Sequence, residues 1–215
     1  MTLTDEIAAF EEEKQRTHDR DVLDMIDMTT ADLVATGIAE KALGVGDKAP
    51  DFELPDANGN PVRLADLLAK GAVILNFYRG SWCPYCNLEL RAYQRDLTRI
   101  HAAGAELVAI SPMLPDESLS IAEKNALEFP VLSDVGSAVS EAFGLSFVVD
   151  ARIQQMYIER LGNDLPKLNG DDSFRLPLPA TYVIGADGTV KYAYVEADYR
   201  VRAAPEEVFA ALDGK

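Results

Sequence analysis

Cys83 and Cys86 are the only cysteines in a chain of 215 residues. They lie in the segment Trp82-Cys83-Pro84-Tyr85-Cys86, directly after a largely apolar run. Residues three apart share one face of a helix, so the two thiols are close enough to form and break a disulfide. Pro84 is typical of the first helical position, where its missing N–H costs no hydrogen bond. The spacing predicts a dithiol/disulfide redox centre at a junction between a strand and a helix.

A helix that begins here is expected to activate the thiols. Cys83 would be its N-cap and Cys86 would lie in its first turn, where unpaired N–H groups and the helix dipole favour the thiolate. Arg79, on the approaching loop, is expected to stabilise the thiolate further. We expect Cys83 to be the more exposed thiol and therefore the attacking one. Trp82 and Tyr85 are predicted either to form an apolar docking surface for a substrate or to pack inside the protein.

Two other roles for the cysteines are weaker. A zinc site needs two more Cys or His ligands, and the chain offers only His18 and His101, which fall in different predicted helices. Inert buried cysteines would not require this spacing at a strand-to-helix junction. No metal, nucleotide or flavin motif is visible, so the sequence predicts no cofactor.

Pro179 is the second notable feature, because it directly precedes the apolar segment ATYVIG. A proline at the start of a strand removes one backbone donor, and with a cis peptide bond it would turn the backbone toward the active site. A strand-edge proline without a catalytic role is equally compatible with the pattern. Tyr199, Arg200 and Arg202 follow the last strand and are predicted to lie in a solvated loop.

The composition argues against several partners. Lys plus Arg is 20 and Asp plus Glu is 36, so the formal net charge is −16. Nucleic acid and anionic membrane surfaces would require a basic patch. The chain has no long apolar run and its N-terminus is acidic, so neither a membrane span nor a secretory signal is predicted. A single close pair of cysteines is typical of reactive thiols in a reducing cytoplasm.

The periodicity of apolar residues predicts an α/β fold from residue 44 onward. Asn58-Gly59 indicates a hairpin turn, and strands then alternate with helices, which implies crossovers and a central mixed, largely parallel sheet flanked by helices. The predicted strands cover 72–78, 105–111, 130–133, 147–149, 180–185 and 189–196, and the predicted helices cover 84–103, 117–126, 137–143 and 205–213. Residues 151–173 interrupt this order and are interpreted as an insertion within a domain that spans residues 44–215.

Residues 1–43 are predicted to form a helical arm, because apolar residues recur at three-to-four spacing among acids. Thr29, Thr30 and Asp32 offer a break and a new N-cap. The arm either packs on its own domain or forms a homodimer, and periodicity does not distinguish these alternatives.

The chain resembles the peroxiredoxin-like alkyl hydroperoxide reductase/thiol-specific antioxidant (AhpC/TSA) family, nearest to the bacterioferritin comigratory protein type. The resemblance rests on four blocks between residues 44 and 196, which read GDKAPDFELPDANGNPVRLADL, AVILNFYRGSWCPYCNLEL, LVAISPMLPDESLSIAEKNALEFPVLSDVGSAVSEAFGL and PATYVIGADGTVKYAYV. It implies a thioredoxin fold with an N-terminal extension. It also implies reduction of a hydroperoxide, with recycling by a thioredoxin-type or glutathione-type reductant.

The catalytic signature departs from that family. The family pattern Pro-x-x-x-Thr/Ser-x-x-Cys places Arg79 at the proline, Cys83 at the hydroxyl residue and Cys86 at the peroxidatic cysteine. The family's activating arginine would fall near Pro179, and Arg175 is the nearest basic residue upstream.

The segment WCPYC together with Pro179 as a cis-proline equivalent is more similar to thioredoxin and the related disulfide reductases, in which the first cysteine attacks and the second resolves. Three functions stay open. A peroxidase is favoured by the family resemblance, a thiol-disulfide oxidoreductase with Cys83 as nucleophile is the first alternative, and a redox sensor without turnover is the second. The substrate is accordingly a small peroxide or a disulfide.

Overall fold

The N-terminal arm forms two helices in the computed structural model, which describes residues 1–213 of the chain. Helix α1 (Leu3–Thr17) and helix α2 (Arg20–Ala35) are followed by a 3₁₀ turn (Ile38–Lys41). A capping box between Thr2 and Asp5 begins α1, since each residue satisfies a backbone N–H of the other.

The break between the two arm helices lies earlier than predicted. His18 ends α1, and α2 continues through Thr29, Thr30 and Asp32 without interruption. The Thr29 hydroxyl donates to the carbonyl oxygen of Met25 at 2.9 Å, within its own helix. A threonine that bonds backward to the preceding turn does not cap a new helix, so the expected break at this point was wrong.

The domain opens with a hairpin of β1 (Glu53–Pro55) and β2 (Pro61–Arg63), which pair antiparallel. The predicted turn at Asn58-Gly59 is confirmed, and Gly59 has a φ of +81° that favours glycine. A short helix that the sequence analysis did not predict, α3 (Leu64–Leu68), follows directly.

The remaining elements alternate much as the periodicity predicts, with strand β7 and helix α8 as additional elements. They are β3 (Ala72–Phe77), α4 (Pro84–Ala102), β4 (Ala105–Ser111), α5 (Pro115–Lys124), β5 (Val131–Ser133), α6 (Ala138–Ala142), β6 (Ser146–Val148), α7 (Ala151–Glu159), α8 (Leu165–Asn169), β7 (Arg175–Pro177), β8 (Ala180–Ile184), β9 (Val190–Val195) and α9 (Pro205–Leu212).

The central sheet is mixed, with the strand order β5-β4-β3-β8-β9. β3 and β4 are parallel, as are β4 and β5, whereas β8 pairs antiparallel with both β3 and β9. The sheet therefore has two parallel and two antiparallel pairings, rather than being largely parallel. One of the antiparallel pairings arises because a tight turn after β8 leads the chain directly back as the hairpin β8-β9. β3 lies at the centre and is almost entirely buried, so the loop that follows it emerges in the middle of one sheet edge.

Both segments outside the resembling blocks pack on the domain. α1 lies against α4, and α2 lies against α7. β6 and β7 pair antiparallel at the base of the insertion, and Ile153 and Tyr157 of α7 form a small apolar core there with Leu165. The sequence left open whether the arm packs on its own domain or forms a homodimer, and in the structure the arm packs on its own domain. Among residues 1–213, no helix combines the length and apolarity needed to cross a membrane.

Candidate active site

The two cysteines lie where β3 leads through a loop into α4. Cys83 is the N-cap of α4, with extended φ and ψ of −85° and 113°, and Pro84 occupies the first turn as predicted. The Asn87 amide donates to the carbonyl oxygens of Ser81 and Cys83, at 2.7 and 2.9 Å. These bonds hold the loop against the first turn of the helix and orient Cys83 and Cys86 on one side of it.

Glycine is required at position 80 of this loop. Gly80 has a φ of +153°, and a Cβ atom there would lie 2.3 Å from Nε1 of Trp82. The indole can therefore lie directly against the backbone only because the side chain is missing.

A cavity of about 220 Å³ opens in front of Cys83, and we call it the cysteine cavity. Its wall includes Phe10 and Lys14 of the arm and Tyr157 of the insertion. Cys83 is 1% exposed and Cys86 is 0% exposed, so the expected difference in exposure between the two thiols was wrong. They differ instead in that Cys83 lines this cavity.

Cys83 is the thiol that ionises more easily. Burial alone raises its pKa, but hydrogen bonding from the Cys86 thiol and the positive charges of Arg79 and Arg202 outweigh that effect. The pKa of Cys83 falls from 9.0 to about 6. Cys83 is therefore largely a thiolate at neutral pH, which is the form that acts as a nucleophile.

Cys86 has the opposite tendency. Burial raises its pKa most, and the adjacent Cys83 thiolate raises it further because a second negative charge would be repelled. Arg202 opposes this rise, since one of its guanidinium nitrogens lies 3.4 Å from the Cys86 sulfur. The two cysteines thus carry one negative charge between them, and it resides on the Cys83 sulfur.

Arg202 is a site residue that the sequence analysis misplaced. It was predicted in a solvated loop, but its side chain is 2% exposed and forms a buried ion pair with Glu89 at 2.5 Å. The Tyr199 carbonyl oxygen accepts two further bonds from the same guanidinium. Glu89 lies three residues after Cys86, on the same helix face, and that spacing was the one signal in the sequence for this cluster.

Arg79, on the loop between β3 and the cysteines, also lines the cysteine cavity. Its guanidinium is 4.0 Å from the Tyr199 ring centroid and 4.9 Å from that of Trp82, and it donates to the Tyr157 hydroxyl. None of the ion pairs found within residues 1–213 includes Arg79, and its buried Nε has no hydrogen-bond partner there. Burial lowers the pKa of Arg79, but the nearby Tyr157 and Cys83 groups outweigh that effect and raise it, so the Cys83 thiolate is one of the groups that stabilise this buried cation.

Trp82 and Tyr85 have different surroundings. Trp82 is half-buried, lines the cysteine cavity and packs edge-on against Tyr157 with centroids 5.4 Å apart. Tyr85 is 2% exposed, and its hydroxyl meets the Lys14 ammonium at 2.7 Å. Its ring packs edge-on against Phe10 at 5.1 Å. Tyr85 therefore joins the arm to helix α4 rather than presenting an outer surface.

Pro179 does not have the geometry that the thioredoxin-like comparison implied. No peptide bond among residues 1–213 is cis, and Pro179 lines a second cavity beyond Arg79 rather than the cysteine cavity. The backbone N–H of Leu178 bonds to the carbonyl of Leu145, so the chain enters β8 already extended. Arg175 donates to Ser146 and is not part of the cysteine cavity wall.

Comparisons with known proteins agree with this fold. The model of the AhpC/TSA family matches residues 45–193. Putative peroxiredoxin Rv2521 of Mycobacterium tuberculosis is 39% identical over 99 residues, which are 46% of this chain and 62% of that protein. Peroxiredoxin Bcp of Escherichia coli is 34% identical over 103 residues, or 48% of this chain and 65% of that protein. The alignments thus span less than two thirds of these curated relatives.

Solved structures extend the similarity. The crystal structure of peroxidoxin BcpB from Mycobacterium tuberculosis has a TM-score of 0.62 and 26% sequence identity. The superposition covers 80% of this chain and 97% of that one. Another similar structure is that of the bacterioferritin comigratory protein from Xanthomonas campestris, with a TM-score of 0.60 and 19% identity over 80% of this chain and 98% of that one.

Proposed function

The chain belongs to the AhpC/TSA family, and on that basis we propose that it is a thiol-dependent peroxidase in which Cys83 attacks the peroxide and Cys86 resolves the product. The observation that carries this proposal is the Cys83 thiol itself. It lies at the N-terminus of α4, it lines the cysteine cavity, and its pKa is lowered to about 6. Cys86 is held three residues away with its thiol protonated.

In the first step the Cys83 thiolate attacks the terminal oxygen of the hydroperoxide. A sulfur–oxygen bond forms as the oxygen–oxygen bond breaks, and the departing oxygen takes a proton from solvent to leave as water or an alcohol. The sulfur is oxidised to a sulfenic acid and the peroxide is reduced.

Arg79 supplies the hydrogen-bond donor that this step needs. The family resemblance places a Thr or Ser hydroxyl at position 83, where this chain has the attacking thiol. The unpartnered Nε of Arg79 is buried beside the cysteine cavity, and its positive charge stabilises negative charge that develops on the peroxide oxygens.

In the second step the Cys86 sulfur attacks the Cys83 sulfenic acid. The new disulfide forms as the hydroxyl group leaves with the Cys86 proton as water. The Arg202 guanidinium, 3.4 Å from the Cys86 sulfur, stabilises the thiolate as that proton departs. In this proposal Arg202 stabilises negative charge at Cys86, and Arg79 stabilises negative charge at the peroxide beside Cys83.

A thiol reductant then supplies two electrons and reopens the disulfide, with a thioredoxin-type dithiol or glutathione as the candidate classes. A reducing compartment such as the cytoplasm would supply such a reductant. A homodimer through the arm or the insertion is part of the proposal to be tested by mass in solution.

Rapid mixing of the reduced protein with hydrogen peroxide and with cumene hydroperoxide tests the proposal. Cys83→Ser should abolish the fast reaction, whereas Cys86→Ser should react once and stop at a sulfenic acid that dimedone traps for mass spectrometry. Loss of the fast reaction in Cys86→Ser instead would make Cys86 the attacking residue, as the family pattern implies.

Peroxide reaction no faster than that of a free thiol, with both hydroperoxides, would refute the peroxidase. Reduction of a disulfide substrate through Cys83 would then identify a thiol-disulfide oxidoreductase. A complex that forms in only one redox state, without turnover, would identify a sensor.

A further inference from the structure

The second cavity, which Pro179 lines, has no part in the mechanism above, and we call it the arm cavity. It has a volume of about 230 Å³ and lies between α2 of the arm and α7 of the insertion. Pro179 before β8 and Ala197 after β9 line a further side of it. An apolar cavity of about 150 Å³ in another protein holds benzene, so the arm cavity has room for a substituted benzene ring.

Most of the wall of the arm cavity is apolar. Ile26 and Leu33 of α2, Ile153 of α7 and Phe147 of β6 all line it. An organic group that enters this space exchanges water for apolar side chains, which favours a ligand with an apolar body. These residues lie outside the blocks that resemble the AhpC/TSA family, so the cavity is a feature of this chain rather than of the shared family body.

The acidic residues of the wall are already paired. Asp32 and Asp150 line the arm cavity, and the Arg152 guanidinium meets their carboxylates at 2.6 and 2.5 Å. Asp32 and the neighbouring Thr36 are exposed, so this end of the cavity faces solvent. The two carboxylates therefore do not provide a free negative charge for a cationic ligand.

Arg79 is the polar group of the wall that lacks partners. It lines the arm cavity as well as the cysteine cavity. Its side chain is buried, and its Nε has no hydrogen-bond partner within residues 1–213. A guanidinium binds a carboxylate through two parallel N–H···O bonds. An apolar cavity that is lined by such a cation matches an organic molecule with a single carboxylate.

The negative charge beside Arg79 depends on the redox state of the protein. In the reduced protein the Cys83 thiolate, together with Tyr157, stabilises the Arg79 cation. A Cys83–Cys86 disulfide carries no charge, so the buried cation loses this partner when the disulfide forms. A carboxylate in the arm cavity would then supply the missing negative charge.

We propose that the arm cavity binds a small monocarboxylate with an aromatic or branched apolar body, and that the disulfide form binds it more tightly than the reduced form. The carboxylate pairs with Arg79, and the apolar body lies between α2 and α7. The proposal requires only the charge on Cys83 and no catalytic turnover, so it stands or falls independently of the peroxidase.

Binding and thiol ionisation are linked in both directions. If the Cys83 thiolate weakens binding of the carboxylate, the bound carboxylate must raise the pKa of Cys83 by the same free energy. The bound acid therefore lowers the fraction of reactive thiolate. The arm cavity would in this way act as a regulatory site beside the redox centre.

Isothermal titration calorimetry at neutral pH with phenylacetate and with its uncharged analogue phenylacetamide tests the proposal. The disulfide form, prepared with diamide, should bind phenylacetate at one site and phenylacetamide about tenfold more weakly, because only the carboxylate forms charge-assisted bonds. The reduced protein should bind phenylacetate about threefold or more weakly than the disulfide form, since the thiolate repels it. Reduced Cys83→Ser carries no charge at position 83 and should bind as tightly as the disulfide form.

Two matched variants locate the site. Leu33 lines the arm cavity only, and Leu161 lines the cysteine cavity only. Leu33→Trp should abolish binding of phenylacetate, whereas Leu161→Trp should leave it unchanged. Leu33→Phe keeps the test decisive if the larger tryptophan impairs folding, and it should weaken binding by about tenfold or more, as steric misfits of this kind do.

A second readout follows the thiol instead of the heat of binding. Saturating phenylacetate should shift the pH midpoint for alkylation of Cys83 by iodoacetamide upward, and phenylacetamide should not. Absence of phenylacetate binding, equal binding of the amide, equal binding in both redox states, or loss of binding in Leu161→Trp but not in Leu33→Trp would each overturn the proposal.

Discussion

Replacing Cys86 by alanine should raise the pKa of Cys83, and this change tests the electrostatic basis of the mechanism. Hydrogen bonding from the Cys86 thiol is the largest of the contributions that lower the pKa of Cys83, ahead of Arg79 and Arg202. Cys86→Ala removes that donor and keeps both arginines. Cys86→Ser is the matched control, because its hydroxyl can still donate to the thiolate.

The size of the effect follows from the strength of such bonds. A hydrogen bond to a charged group contributes about 1.5–3 kcal/mol, which corresponds to about 1–2 pKa units. The pKa of Cys83 should therefore move from about 6 to about 7 or 8 in Cys86→Ala. At pH 6 the thiolate fraction should fall from about one half to about one tenth or less.

The rate of alkylation by iodoacetamide as a function of pH measures this pKa, with mass spectrometry to identify the modified residue. Cys86→Ser should have a midpoint closer to that of the unmodified protein. An unmodified midpoint near 9, or equal midpoints in the protein and in Cys86→Ala, would refute the argument that Cys86 activates Cys83.

Three further predictions concern stability and the arm. The free energy of unfolding of the reduced protein should rise between pH 6 and 9 by up to about 4 kcal/mol. The reason is that the unfolded Cys83 thiol still binds the proton that the folded thiolate has lost. Urea titrations in which the protein and Cys83→Ala show the same pH dependence across this window would contradict this prediction. Arg202→Met should lower the free energy of unfolding by about 3–5 kcal/mol, since Glu89 would remain buried without its partner, and adding Glu89→Met should recover part of that loss in the same urea assay. Lys14→Met should accelerate hydrogen exchange in α1, because the Lys14 ammonium donates to the Tyr85 hydroxyl. Arg16→Met should not, because Arg16 is exposed and pairs with Glu13 instead.

Local sequence patterns determined much of the fold and the position of the cysteine pair at the start of α4. The continuous apolar run of β3, the proline at the start of α4 and the C-x-x-C spacing are effects of neighbouring residues, so they can be recognised without a structure. The same applies to the turn at Gly59, whose positive φ requires a particular residue type. The four blocks that resemble the AhpC/TSA family agree with the match over residues 45–193.

Only the tertiary structure decided which groups surround the thiols. Arg202 lies 116 residues beyond Cys86 in the chain and reaches it because the loop after β9 returns to the start of α4. The cavity in front of Cys83 is lined by residues of the arm and the insertion, and periodicity does not specify how those segments pack. Charge and desolvation act through distance in space, and so the lowered pKa of Cys83 became visible only when the fold had brought these side chains together.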